Sequence, residues 1–320
     1  MMAAALQRQL LHACRLYTRL CPLERGKQRL HDFALRHFNP HAPLEFRLAP
    51  GIRIELDITD LLQSILFFRG VYERESMELW QEVIEPGDTV IDVGANIGLY
   101  TLLAAANVGK AGAVHAFEPA PQLFIRLLQN AQRNGLRNVR AHNIAVSDRC
   151  GAEKLYLAEN SNRGKNSLCR DNAAAPDSAA QSICVASTAL DDYLQRKGIR
   201  AIKAMKVDVE GAELRVFEGA QSVLARDDAP FLFFEASDLL SAGFGYTSIE
   251  LKAHLRRLGY TVWRMRKRRL FPVADDESHR LEDLVALKPA HFARTAVRQR
   301  IRESNDVMPR RSDAATGSRD

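Results

Sequence analysis

Thr89-Val-Ile-Asp-Val-Gly-Ala-Asn-Ile-Gly98 is the stretch whose reading decides the fold. Thr89, Val90, Ile91 and Val93 form a short β-branched run of the kind that builds a buried parallel strand. Asp92 stands near its carboxyl end. Gly94, Asn96 and Gly98 make a tight turn, and Leu99, Leu102, Leu103 and Ala106 start an apolar helix. Strand, small-residue turn and helix together make the phosphate or nucleoside cradle of doubly wound α/β folds. A dinucleotide fold wants glycine at the first, third and sixth turn positions, where the backbone approaches a pyrophosphate. Those positions hold Gly94, Asn96 and Leu99, so the fingerprint fails twice and argues against an NAD-type oxidoreductase. The next strand is expected at Ala113-Val-His-Ala-Phe-Glu-Pro119 and ends in Glu118, where an acid takes the ribose hydroxyls of a nucleoside cofactor.

Working outward, strand and helix patterns alternate. Pro121 opens a helix with Leu123, Phe124, Leu127, Leu128 and Ala131 as its buried stripe, and Asn134-Gly135 ends it. Val139–Val146 reads as a third strand, Ile202–Val209 as a fourth and Phe231–Phe234 as a fifth. Tyr260–Met265 and Leu284–Leu287 read as two final strands, antiparallel to the rest. Repeated βα units imply a doubly wound, seven-stranded, mostly parallel α/β sheet with helices on both faces. Before it, residues 44–58 alternate apolar and polar and predict a β-hairpin turning at Pro50-Gly51. Residues 60–84 read as helical. Residues 153–187 read as an inserted hairpin around a segment rich in Ala, Ser, Asn and Asp. The expected organisation is an N-terminal helical and hairpin extension over 1–59, a main domain over 60–289, and a basic, disordered tail over 290–320.

Composition sets outer limits. The chain has 320 residues, 46% hydrophobic and 26% charged, with a net charge of +6. That is a globular composition, and the mild basicity permits an anionic partner without requiring nucleic acid. Five cysteines without a CxxC pair suggest reduced thiols, a cytoplasmic setting and no zinc site. Residues 1–20 contain no acid, and Leu6, Leu10, Cys14 and Tyr17 share one helical face. An amphipathic helix packing on the domain is expected there, with peripheral membrane contact as the most that the segment implies. The run Arg264-Met-Arg-Lys-Arg-Arg269 reads as a solvated hairpin, since it lacks the interleaved aromatics of a nucleic-acid site.

Acids end four of the expected strands: Asp92, Glu118, Asp208 and Glu235. In open α/β sheets ligands bind at those ends. Lys206 precedes Asp208 by two and shares its strand face, and a lysine in an apolar strand is costly unless paired. Asp208, Glu210 and Glu235 are its candidate partners. The turn Asp-x-Gly-x-Asn-x-Gly resembles motif I of class I S-adenosylmethionine (SAM) methyltransferases. The wider set resembles the FkbM-type methyltransferase family: Tyr72-Glu73, Asp92-Val-Gly-Ala-Asn-Ile-Gly98, Phe117-Glu-Pro119, Lys206-Val-Asp-Val-Glu-Gly-Ala-Glu213 and Phe234-Glu235, over about residues 60–240.

The resemblance implies the class I fold, SAM as cofactor, and O-methylation of a hydroxyl on a sugar, glycolipid or similar small molecule. It departs from the family where a histidine often follows the fifth-strand acid; here Ala236, Ser237 and Asp238 stand. The cofactor-binding set is read as Asp92, Gly94, Asn96, Gly98, Glu118 and Asn143, with Tyr72 and Glu73 closing the site. For catalysis Asp208 is the first candidate base and Glu235 the second, with Lys206 orienting the acid or stabilising a developing oxyanion. Asp208 and Glu210 also fit a purely structural role at a helix start. No resident metal is expected, although Asp208 and Glu235 together offer oxygen ligands of the type Mg²⁺ takes. A nucleic-acid methyltransferase or a non-catalytic SAM-binding protein is the alternative reading.

Overall fold

The structure, a computed structural model, describes residues 2–20, 26–37, 43–158, 160–174 and 181–305. Strands β1 (Leu44–Ala49) and β2 (Ile52–Leu56) form the hairpin expected there, turning at Pro50-Gly51. Their alternation buries Leu44, Phe46, Ile52, Ile54 and Leu56. The helical stretch 60–84 divides into helices Leu61–Arg69 and Arg74–Val83. Asp60 caps the first by accepting from the Gln63 N–H, and Gly70 at φ 77° ends it.

The core strands are β3 (Thr89–Val93), β4 (Ala113–Phe117), β5 (Val139–His142), β6 (Ala145–Ser147), β7 (Gly151–Leu157), β8 (Gln181–Ala189), β9 (Ala204–Val207), β10 (Phe231–Ala236), β11 (Thr261–Arg266), β12 (Arg269–Pro272) and β13 (Glu282–Leu287). The central sheet runs β12-β11-β13-β10-β9-β3-β4-β5. From β5 through β10 its strands are parallel; β13, β11 and β12 each lie antiparallel to the neighbour before them. The chain steps outward from β3 to β4 and β5, then returns to lay β9 on the other side of β3. The strand order reverses there, and the carboxyl ends of β3, β4 and β9 frame a crevice. Helices cover both faces. Leu99, Leu102 and Leu103 belong to the core layer on one side, and Val216, Phe217 and Leu224 to the layer on the other.

The order of the seven expected strands is that of the class I SAM methyltransferase fold, but the count is eight. The basic run makes the difference. Arg264 and Arg266 stay on β11, Lys267 and Arg268 turn with φ 49° and 64°, and Arg269 begins the added edge strand β12. The expected strand Val139–Val146 also splits. β5 stays in the central sheet, while β6 joins β8 and β7 in a separate three-stranded sheet built from the insertion. Asn143 makes the break, its Nδ2 donating to the Glu118 and Pro119 carbonyls at 2.8 and 2.9 Å.

The described part of the expected tail is ordered. Thr295–Asn305 is a helix with Val297 fully buried and Arg300 only 4% exposed. Arg300 forms a two-oxygen pair with Glu82 at 2.9 Å, a long-range anchor that apolar periodicity does not reveal. Residues 306–320 lie outside the described residues.

Candidate active site

The motif turn is locked in place before any ligand arrives. The Gly94 and Ala95 N–H groups donate to the Phe117 carbonyl at 3.0 and 2.9 Å, tying the end of β3 to the end of β4. Gly94 has φ 79°, and a Cβ there would lie 1.8 Å from the Asp208 carbonyl oxygen. Only glycine allows the turn to close on the end of β9. Asn96 also takes the left-handed region, φ 51°, and its Oδ1 accepts from the Ile97 N–H at 2.8 Å.

Glu118 binds this turn from the side. Its two oxygens accept from the Asn96 N–H at 2.8 Å and the Ala120 N–H at 2.9 Å. Burial pushes its carboxyl up to about 7 against those two bonds. Each carboxylate oxygen keeps a second lone pair, so the group can still accept from two hydroxyls of a ligand. Asp92 is 1% exposed and accepts from Thr101 Oγ1 at 2.5 Å. Burial raises it to about 6, with Thr101 and Lys206 opposing the shift.

Lys206 stands opposite Asp92 across β3 and β9 and is 7% exposed. Its Nζ is 2.6 Å from Asp208 Oδ2, 4.0 Å from Glu73 Oε2 and 4.5 Å from the centre of the Tyr100 ring. Burial works to neutralise it, but Asp208 and Glu73 prevail and hold it above the ordinary lysine value. Glu73 is fixed by the Tyr100 hydroxyl, which donates to it at 2.7 Å. Its backbone sits at φ 43°, turning the corner into helix Arg74–Val83. Glu73 therefore braces the lysine.

The crevice is a cleft with about 1070 Å³ of empty space, its open mouth included. Asp92, Gly94, Asn96, Glu118, Tyr72, Lys206, Asp208 and Glu235 all line it. Gly98, Glu73 and Asn143 are not among its lining residues. Gly98 lies at the start of the following helix, where a Cβ would meet Leu127 at 2.6 Å. Asn143 spends its amide on the β4 turn, so Ile144, Ala145 and Val146 form that wall instead.

Glu235 differs from the expected second base. Burial, then Asp208, Glu210 and Glu213, push it to about 10. One of its oxygens is buried with no hydrogen-bond partner among the described residues. Burial and the neighbouring acids favour its protonated form, which is suited to donate a hydrogen bond rather than to take a proton.

Two lining features were not singled out as site residues from sequence. Glu210 sits at φ 54° with its carbonyl held by Ser167 Oγ at 2.9 Å and Asn172 Nδ2 at 2.8 Å. Burial, with Asp208 beside it, raises its side chain to about 8. The charged Asp-Val-Glu-Gly-Ala-Glu block was the signal for it. Arg163, from the insertion, reaches Asp57 at 2.6 Å, and its N–H donates to Asp60 at 2.9 Å. This strap brings Gly164 and Asn166 over the cleft, and nothing local in the sequence foretells it.

The sequence profile of the Methyltransferase FkbM domain matches residues 92–262, more than half of the chain. The chain belongs to the FkbM methyltransferase family. It is similar to 31-O-demethyl-FK506 methyltransferase FkbM of Streptomyces tacrolimicus, 32% identical over 181 residues, covering 49% of this chain and 66% of that protein. It is also similar to hexuronic acid methyltransferase AglP of Haloferax volcanii, 28% identical over 152 residues, covering 48% and 58%. The FkbM-family chain thus spans somewhat less than two thirds of the length of either relative. A crystal structure of methyltransferase FkbM from Methylobacillus flagellatus superposes with a TM-score of 0.39 at 17% identity, over 66% of this chain and 50% of that one.

Proposed function

We propose that this methyltransferase uses SAM to methylate a hydroxyl of a small-molecule, sugar or glycolipid-type acceptor. The observation that carries the reading is the Lys206–Asp208 pair opening on the same cleft as the motif turn and Glu118. The residues present suit the cofactor. Buried Asp92 and Glu118 complement its cationic and hydroxyl-bearing parts, and Phe117, Ile144 and Val146 offer apolar walls for a flat base. When bound, SAM supplies an electrophilic methyl group. The protein's task is then to align an acceptor oxygen and to take its proton. Asp208 accepts that proton, Lys206 fixes the carboxylate and neutralises charge beside it, and protonated Glu235 donates a hydrogen bond that orients the acceptor. The two relatives, named for methylating an FK506 precursor and a hexuronic acid, support an oxygen-rich acceptor.

Calorimetric titration with SAM, followed by incubation with methyl-labelled SAM and a panel of hydroxyl-bearing glycolipids, sugars and polyketides, tests the reading. Absence of SAM binding sinks it, and label appearing in RNA alone replaces the acceptor class.

Glu118 provides a pH signature. Ligand hydroxyls bond its carboxylate form, so SAM binding must release the proton that burial holds on up to about pH 7. Affinity should rise with pH below that value, by up to about tenfold per unit where this group alone limits binding, and level off above it. Glu118→Gln should flatten the dependence and weaken binding by about tenfold or more, since each bond to a charged group is worth about 1.5–3 kcal/mol. Titrations across the neutral range check both. An equally steep profile in the variant removes Glu118 from the ribose site.

A further inference from the structure

We propose that the outer face of the N-terminal helix is a docking surface for an anionic lipid bilayer. Helix Met2–Leu20 has two apolar faces. The inner one packs on the domain: Leu11 is fully buried, and Thr18 Oγ1 donates to the Phe68 carbonyl at 2.9 Å. Arg15 lies over the Phe46 and Phe67 rings at 4.7 and 5.0 Å, which fixes the helix on the hairpin and on helix Leu61–Arg69. The outer face points away from all this. Leu10, Leu16, Tyr17 and Leu20 are 38, 59, 53 and 71% exposed. At 3.6 residues per turn these four fall within about a third of the helix circumference. Phe33, on the adjoining helix Lys27–His37, is 49% exposed as well. Single exposed apolar residues are ordinary, but a contiguous stripe of them marks a surface with a partner.

Charge selects the partner. Residues 1–20 contain no acid, and residues 1–37 carry seven arginines and lysines against Glu24 and Asp32. This short segment holds a net +5 of the chain's +6. A second copy would set the same positive charge against itself. A polyanion such as nucleic acid would leave the leucines in water. A negatively charged bilayer surface satisfies both the stripe and the charge, with the helix lying in the headgroup plane. No helix among the described residues is long and apolar enough to cross the membrane. Helix Leu61–Arg69, on which the docking helix packs, also carries Leu62 into the wall of the cleft. The inference is independent of which acceptor is methylated.

The test is co-sedimentation of the whole chain with phosphatidylcholine vesicles and with vesicles in which about a third of the lipid is phosphatidylglycerol. Binding is expected to the anionic vesicles only, and to weaken as salt is raised. The exposed double variant Leu16→Asp, Leu20→Asp should lose about tenfold or more of that binding while keeping its melting temperature and SAM affinity. Failure of the wild-type chain to sediment with anionic vesicles at low salt overturns the proposal. So does equal sedimentation of the double variant. Sedimentation velocity supplies a third arm: a wild-type dimer that the same two changes convert to monomer shows that a second copy covers the face, and this too overturns it.

Discussion

Asp208→Asn is expected to lower turnover by about 10²–10⁴-fold while leaving SAM affinity nearly unchanged. Asparagine matches the shape of aspartate and still accepts a hydrogen bond, but it cannot take the acceptor's proton. The variant should also remain folded. Removing one partner of a buried ion pair costs about 3–5 kcal/mol when the other charge is left alone. Lys206 is not left alone here. Glu73 stays 4.0 Å away, and the Tyr100 ring stays beneath it at 4.5 Å. Asp208 is also one of the charges that hold Glu235 and Glu210 high, so its loss relieves repulsion. The stability cost should therefore be about 1–2 kcal/mol, below that of an isolated pair. Melting temperature and single-turnover rate, measured on the same preparation, separate the roles. A folded variant with wild-type turnover eliminates Asp208 as the proton acceptor. A large loss of stability shows that the pair with Lys206 dominates, as a structural role for the Asp-Val-Glu-Gly block would require.

How far the site was legible follows from the length of chain each feature depends on. Period-two alternation and strand-end position are local, and they sufficed for Asp92, Glu118, Lys206, Asp208 and Glu235, all of which the fold brings to one cleft. The Lys206–Asp208 contact follows from two residues sharing a strand face. The misplacements arise where a side chain answers to something distant. Asn143 stands at a strand end like the others, but two carbonyls of the β4 turn claim its amide and withdraw it from the cleft wall. Glu73 reads as a lid beside Tyr72, yet its left-handed backbone turns the carboxylate inward to Tyr100 and Lys206. Arg163 bonds to Asp57 and Asp60 across about a hundred residues of sequence. Such contacts depend on how the insertion folds back, which no local period encodes. The protonation of Glu235 is of the same kind, since it depends on burial and on four acids from other segments, Asp208, Glu210, Glu213 and Asp283.

Lys206→Met is expected to destabilise the chain more than Asp208→Asn does, with a deficit that grows as pH rises. Methionine fills the lysine's space on β9, so packing is nearly conserved. What disappears is the cation that Asp208, Glu73 and the neighbouring Asp92 share. The cleft then holds Asp92 and Asp208 together with Glu118, Glu210 and Glu235, with Glu73 behind its wall, and no charge from this lysine to offset them. At neutral pH the cost should be about 3–5 kcal/mol, the range for stranding buried charge. Asp92 and Glu210, which the lysine holds down against burial, respond by holding their protons more tightly, so their folded-state values rise further above the unfolded value of about 4. A group with a raised folded pKa stabilises the fold below its unfolded pKa, and that contribution is lost as pH climbs through the folded one. The variant's deficit should therefore be smallest in mild acid and grow toward alkaline pH. In the wild-type chain, Lys206 stays charged across the same range and lessens this loss. Denaturant melts of both proteins at several pH values read the difference directly. A deficit that does not change with pH would mean that Lys206 acts through packing alone, and the electrostatic account of the cleft would fail with it.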